Sequence, residues 1–100
     1  MDNRTENASN ILRDAAAHFL SREAGPQSLI TITNVRYTSD LSRATIYLSV
    51  LPREKETAAL GFATRSVREM KDYLKTKTKL PRIPYIEFEL DTHTDSFASL

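Results

Sequence analysis

Between Arg43 and Leu51 the chain alternates without interruption: Ala44, Ile46, Leu48 and Val50 are apolar, while Thr45, Tyr47 and Ser49 between them are polar or amphipathic. Side chains of a strand point to opposite faces at every second residue, so this pattern predicts a β-strand with one face buried. Everything around it must then supply strand partners and a cover for that one face. Upstream, Leu29 to Tyr37 is rich in β-branched and aromatic residues, with Ile30 and Ile32 in one phase and Val35 and Tyr37 in the other. The phase slips near Thr33-Asn34, which predicts a bulge there or a strand partly covered on both sides. The turn-forming run Thr38-Ser39-Asp40-Leu41-Ser42 is short enough to make the two strands, at 29–37 and 43–51, an antiparallel pair.

The cover comes from two helical stretches. Ala8, Ile11, Leu12, Ala15, Ala16, Phe19 and Leu20 form one stripe of an amphipathic helix from about residue 4 to about 24, which Gly25-Pro26 ends. After Pro52, residues Leu60, Ala63, Val67, Met70 and Leu74 step by three and four toward about residue 76. Gly61 weakens this stretch and predicts a kink, or a break into two helices, between 61 and 66. Beyond Pro81 and Pro84, Ile86, Phe88 and Leu90 alternate with acidic residues as a third strand at 84–91. A helical crossover separates strands two and three, so their pairing should be parallel. The order α-β-β-α-α-β predicts an α+β fold, a mixed three-stranded sheet with helices on one face. With 100 residues, 40% of them apolar, the chain should form a single domain over 1–100, ending in a loose tail at about 92–100.

The net charge of +1 conceals a segregation. Residues 1–64 carry seven basic and seven acidic side chains; from 65 to 82 there are seven basic residues against Glu69 and Asp72; from 83 to 100 there are four acids and no Lys or Arg. The basic residues are Arg65, Arg68, Lys71, Lys75, Lys77, Lys79 and Arg82. On an ideal continuous helix the first four fall within a face of about 120° beside the apolar stripe. Lys75, Lys77 and Lys79 then alternate with Thr76 and Thr78, an arrangement expected to be a loop whose ammonium and hydroxyl groups reach phosphate oxygens. Such a run is also compatible with a merely solvated face, and the acid-free interval from Lys75 to Arg82 is what favours a polyanionic partner.

Other chemistries find little to build on. The chain has no cysteine, which excludes disulfides, thiolate zinc sites and a Cys nucleophile. Its only glycines, Gly25 and Gly61, cannot make a phosphate-cradling loop or a dinucleotide fingerprint. Asp91, His93 and Asp95 alternate and could align on one side of an extended segment as metal ligands, although a polar tail explains them equally well. His18 sits at the edge of the first helix's stripe and reads as a boundary residue. Tyr37, Tyr47, Tyr73 and Tyr85 could each stack on a base or simply fill a half-buried position. Apolar runs are too short to span a bilayer and the start lacks a signal-peptide core, so a soluble cytoplasmic protein is expected.

Over about residues 7–91 the sequence resembles the ribosome-binding factor A family. The resemblance is carried by Leu29-Ile30-Thr31-Ile32-Thr33-Asn34-Val35-Arg36, by Ser39-Asp40-Leu41-Ser42-Arg43-Ala44-Thr45-Ile46-Tyr47-Leu48-Ser49-Val50, by Val67-Arg68 and by Arg82-Ile83-Pro84-Tyr85-Ile86-Glu87-Phe88. The middle block is the most specific, with Ser39 where the family usually has proline. The resemblance implies a type II KH-like fold and a non-catalytic factor without cofactor. Such a factor binds the precursor of the small ribosomal subunit and its ribosomal RNA, near the RNA 5′ end and the decoding region, assists maturation and is then released. It also implies a monomer, with an assembly GTPase as a further partner. Two departures stand out. The family replaces the Gly-x-x-Gly loop of other KH domains by an Ala-x-Gly kink, and here Ala63-Thr64-Arg65 occupies that place. A positive φ at Arg65 would be strained, so the kink is either milder or moved to Gly61. The chain also stops soon after the third strand, where family members often continue. Two rival readings remain open: a protein interaction module using the sheet edge or a helix face, and a small metal-dependent enzyme built on Asp91, His93 and Asp95.

Overall fold

The computed structural model describes residues 3–23, 28–80 and 82–91. Strand β2 (Arg43–Leu51) is the middle strand of a three-stranded sheet; β1 (Leu29–Tyr37) pairs with it antiparallel and β3 (Tyr85–Leu90) parallel. Ala44, Ile46, Leu48 and Val50 are at most 2% exposed, whereas Thr45, Tyr47 and Ser49 are only partly covered. The strict alternation thus reports a strand flanked on both sides and covered on one face. The phase slip in β1 is a bulge. Ile32 pairs with Leu48 and Asn34 with Tyr47, leaving Thr33 as the extra residue. It lets Ile30 and Ile32 before the slip, and Val35 and Tyr37 after it, all share the core side. Removed from the ladder, the Thr33 hydroxyl donates to the Asp91 carboxylate and lies 3.3 Å from the Tyr47 carbonyl.

The β1–β2 turn is held by one carboxylate. Asp40 Oδ1 accepts from the hydroxyls of Thr38 and Ser42, both at 2.7 Å, and from the Ser42 backbone N–H at 3.1 Å. Hydrogen bonds from Ser42, then from Thr38, with Arg82 nearby, lower the Asp40 pKa to about 2. The support this carboxylate gives the turn is therefore complete above the ordinary carboxylate pKa and disappears as the pH falls through about 2. The turn needs such support because Leu41 takes a left-handed conformation, with φ of 62°, at a cost of about 1–2 kcal/mol for a residue with a side chain. Its N–H donates to the Thr38 carbonyl at 2.9 Å, and Thr38 N–H to the Arg43 carbonyl at 3.0 Å.

Helix α1 (Asn3–Glu23) buries Ala8, Leu12, Ala15, Ala16, Phe19 and Leu20. Its predicted Gly25-Pro26 stop lies outside the described residues, as does the tail from 92 onward. After β2 a single 3-10 turn, Arg53–Lys55, leads into α2 (Glu56–Arg65) and then α3 (Val67–Lys77). Ala59 and Ala63 of α2 and Met70 and Leu74 of α3 complete the core. Leu60 and Val67, placed in the stripe by their spacing, are only partly buried. The reason is the break at Ser66, which interrupts the helix between these two residues. Ser66 has φ −89° and ψ 0°, and its N–H is shared between the carbonyls of Phe62 and Ala63. A backbone with negative φ suits any residue, so this break needs no glycine and Arg65 precedes it without strain. Gly61 lies inside α2 instead. Element order, pairing and the single covered face are those of the expected type II KH-like fold.

A methyl group added at Gly61 would meet only the far end of the flexible Arg65 side chain, at 3.2 Å. Gly61→Ala should therefore raise the unfolding free energy by about 0.5–1 kcal/mol, read as a higher urea midpoint with an unchanged slope. A lower midpoint would place a structural requirement at Gly61 after all.

Candidate nucleic-acid interface

On α3 the positions of Arg68, Lys71 and Lys75 differ by three and four residues, so the three share one side of the helix. Where that side faces is fixed by one contact: Lys71 Nζ stands 5.7 Å from the centre of the Tyr85 ring. Tyr85 opens the edge strand β3, with its N–H donated to the Ser42 carbonyl at 2.9 Å and 53% of its surface exposed. The Arg43 guanidinium approaches the same ring at 5.0 Å from β2. Two cations from separate elements thus meet on one accessible aromatic ring, each such contact being worth about 0.5–1 kcal/mol at an exposed site. Arg36, Thr38, Arg43, Thr45, Tyr85 and Glu87 line a hollow of about 250 Å³ on this end of the sheet. Arg36 and Arg43 escape a count of charge along the chain because residues 1–64 are balanced overall. The register makes them visible, since Arg36 pairs with Thr45 and Arg43 with Tyr85.

The seven basic residues singled out in the sequence do not form one uninterrupted ridge. Arg65 is exposed at the end of α2, before the break, and its guanidinium reaches back toward Gly61. Arg68, Lys71 and Lys75 follow on α3. Lys77 is its last residue, and of the three alternating lysines only Lys79 lies in the loop; Lys77 and Lys79 are both exposed. The Lys-Thr alternation expected to be a loop is therefore helical from Lys75 to Lys77. The threonine hydroxyls are occupied as well. Thr76 donates to the carbonyls of Asp72 and Tyr73, each at 3.2 Å, and Thr78 to that of Leu74. They close the helix end rather than face outward, and Lys75 and Lys77 in the last turn also complement its dipole. Arg82 is exposed and close enough to Asp40 to help lower its pKa.

The tyrosines separate into distinct roles. Tyr73 packs against Phe19, with ring centres 5.7 Å apart, and against the exposed His18 at 6.1 Å. The Tyr37 hydroxyl is buried, and burial raises its pKa to about 12. Tyr47 is half-buried on the open face of the sheet. Tyr85 alone among them is exposed and flanked by cations. Of the proposed metal ligands, Asp91 is engaged by Thr33, while His93 and Asp95 lie outside the described residues. Among the described residues, no helix is long and apolar enough to cross a membrane.

Comparison with known proteins places these features in context. Residues 4–100 match the family described as Ribosome-binding factor A. A ribosome-binding factor A from Chlorobium luteolum is 32% identical over 94 residues, covering 88% of this chain and 77% of the relative. Among solved structures, the crystal structure of ribosome-binding factor A from Thermus thermophilus superposes with a TM-score of 0.75 at 24% identity, covering 86% of this chain and 94% of that one. A second, at 26% identity and TM-score 0.68, covers 79% of this chain and 86% of its own; it is a T. thermophilus ribosome binding factor A homology model fitted into the cryo-EM map of a 30S complex.

If Tyr85 and its cations form a nucleic-acid contact, Tyr85→Ala should weaken RNA binding by about 1–3 kcal/mol with little change in melting temperature, and Tyr85→Phe should restore it. Tyr73→Ala should instead lower stability, because that ring is packed. Equal RNA affinity in Tyr85→Ala and the parent would remove Tyr85 from the interface.

Proposed function

This chain belongs to the ribosome-binding factor A family, and we propose that it is a non-catalytic assembly factor that binds the immature small ribosomal subunit through its ribosomal RNA. The observation that carries this reading is the meeting of Lys71 and Arg43 on the exposed Tyr85 ring, continued along α3 by Arg68 and Lys75. The relative fitted into a 30S complex supports the same partner. In this reading the whole chain acts as one KH-like unit, as a cytoplasmic monomer without cofactor. It favours maturation of the RNA 5′ region and leaves once the subunit is complete, an assembly GTPase being a further partner at release.

Recognition of this kind rests on phosphates. Cations that each neutralise a phosphate release condensed counterions, which provides affinity without base sequence. Selectivity then comes from shape, from how the α3 ridge, the Lys79–Arg82 loop and the hollow beside Tyr85 fit a folded RNA surface. Arg65 adds charge at the turn between the helices, where a glycine of the family pattern would add none. Co-sedimentation tests the partner directly: the protein should travel with small subunits or their precursors and not with complete ribosomes.

The salt dependence tests the surface. Changing Lys75, Lys77 and Lys79 together to glutamine should flatten the slope of log affinity against log salt by about 2–3 units for ribosomal RNA. Thermal stability should hardly change, since exposed lysines contribute little to folding. The same change at Arg4, Arg13 and Arg22 of α1 should do much less. A slope unaltered by the lysine substitutions, or equally altered by those in α1, would mean that RNA is met by another surface.

A further inference from the structure

A cleft of about 240 Å³, lined by none of Arg68, Lys71 and Lys75, opens between the N-terminal half of α1, the end of β1, the β1–β2 turn and the α3–β3 loop. Ala8, Ile11, Leu41 and Leu80 supply its apolar walls; Asn7, Tyr37 and Arg82 supply its polar groups. That size is below the range of pockets for drug-sized ligands, and suits a single flat ring system.

Three features point to what enters. First, Tyr37 lies in the core phase of β1, opposite Ala44, and its buried hydroxyl has no hydrogen-bond partner among the described residues. Buried hydroxyls are normally paired, so an unpaired one beside a cleft calls for an acceptor from outside. Its raised pKa keeps it a proton donor throughout the neutral range. Second, the wall nearest the turn includes Leu41, held left-handed with φ of 62°. The Asp40 hydrogen bonds hold the turn itself, so a change of rotamer of the Leu41 side chain is the movement that would give an incoming group access to the hydroxyl. Third, Arg82 is exposed, and the acid acting on it, Asp40, is already engaged by Thr38 and Ser42.

A cation at the rim, apolar walls and a buried proton donor together match the chemistry of one nucleotide, with its phosphate, its flat ring and the acceptor atoms on its edge. An aliphatic side chain would leave both polar groups unanswered. The geometry points to a site for one unpaired nucleotide, its base held between Ile11, Leu41 and Leu80, its edge accepting from Tyr37 and its phosphate at Arg82. This depends on the proposed function only for the class of polymer that presents the nucleotide.

The test is an amide chemical-shift titration of the full chain with AMP, GMP, CMP and UMP, and separately with inorganic phosphate. At least one mononucleotide should move the amides of Ala8, Ile11, Leu41 and Leu80, while phosphate should affect only the surroundings of Arg82. Tyr37→Phe should weaken that mononucleotide about three- to tenfold without lowering the melting temperature, because the hydroxyl has no bond to lose. Arg82→Gln should weaken the mononucleotide and leave the corresponding nucleoside unaffected. Identical responses to phosphate and nucleotides, no response at millimolar nucleotide, or unchanged affinity in Tyr37→Phe would each overturn the site. So would saturation of the cleft by an acidic peptide containing phenylalanine with no response to nucleotides, which would assign it to a protein partner. The Lys75, Lys77, Lys79 triple variant should retain the cleft response. A lost cleft response with an intact salt slope would then refute the nucleotide site alone, and the reverse would refute the basic ridge alone.

Discussion

The buried face of β2 is the constraint on which the rest of the molecule depends. Ala44, Ile46, Leu48 and Val50 lie under the helices, and the same strand carries a neighbour on each side. An antiparallel neighbour can be reached by a short turn, but a parallel one needs a crossover. Because only one face of the sheet is apolar, that crossover must lay α2 and α3 on the side where α1 already packs. Helix α2 then lies over β2 and β3 and α3 beside α1, while Lys71 of α3 reaches the Tyr85 ring at the start of β3. The charged ridge is thus carried by an element that covering the strand brings into place.

The ridge is also heterogeneous in what holds it. Lys71 and Arg43 are held against the Tyr85 ring, whereas the flexible Arg65 side chain lies back along α2 toward Gly61. Lys79 and Arg82 sit on a loop whose start is fastened by the Thr78 hydroxyl and whose neighbourhood includes the Asp40 turn. A surface that meets RNA by phosphate contacts gains from such partial ordering, since each side chain already held in place loses less freedom on binding.

Much of this was legible in the residues. Alternation identified β2 and β3, and the change of phase in Leu29–Tyr37 marked Thr33-Asn34 as the site of either a bulge or a strand covered on both sides, a choice that only the register with β2 decides in favour of the bulge. The helix break was less legible. Glycine is the strongest local signal for a kink, so Gly61 drew attention, but a break with negative φ carries no compositional mark and Ser66 has none. The Thr76 and Thr78 hydroxyls are hidden from a sequence reading for a related reason: a polar Lys-Thr run reads as an exposed loop, whereas the preceding turns of α3 propagate into it and recruit both hydroxyls to their carbonyls. Arg43 and Arg36 lay beyond reach for another reason, since only strand register brings them beside residues distant in the chain. Tyr37 shows the same limit. Its phase predicted burial, but not that its hydroxyl would go unpaired.

Among the described residues the sheet also has two unpaired edges, an invitation to aggregation that natural proteins must answer. In β1 the extra residue Thr33 interrupts the ladder and bends the strand, so a second chain could not add in simple register. In β3 the residues on the open face are Tyr85, Glu87 and Glu89, the first opposite Arg43 and the last opposite Tyr47. Stacking another β3 alongside would bring like charges together at two successive positions on that face. The glutamates would have a second effect in the presence of a polyanion. By repelling phosphate along the rest of β3 they confine its approach on that face to the Tyr85 end, where Arg36 and Arg43 stand, so one pair of acids both guards against self-association and gives the molecule a sense of direction.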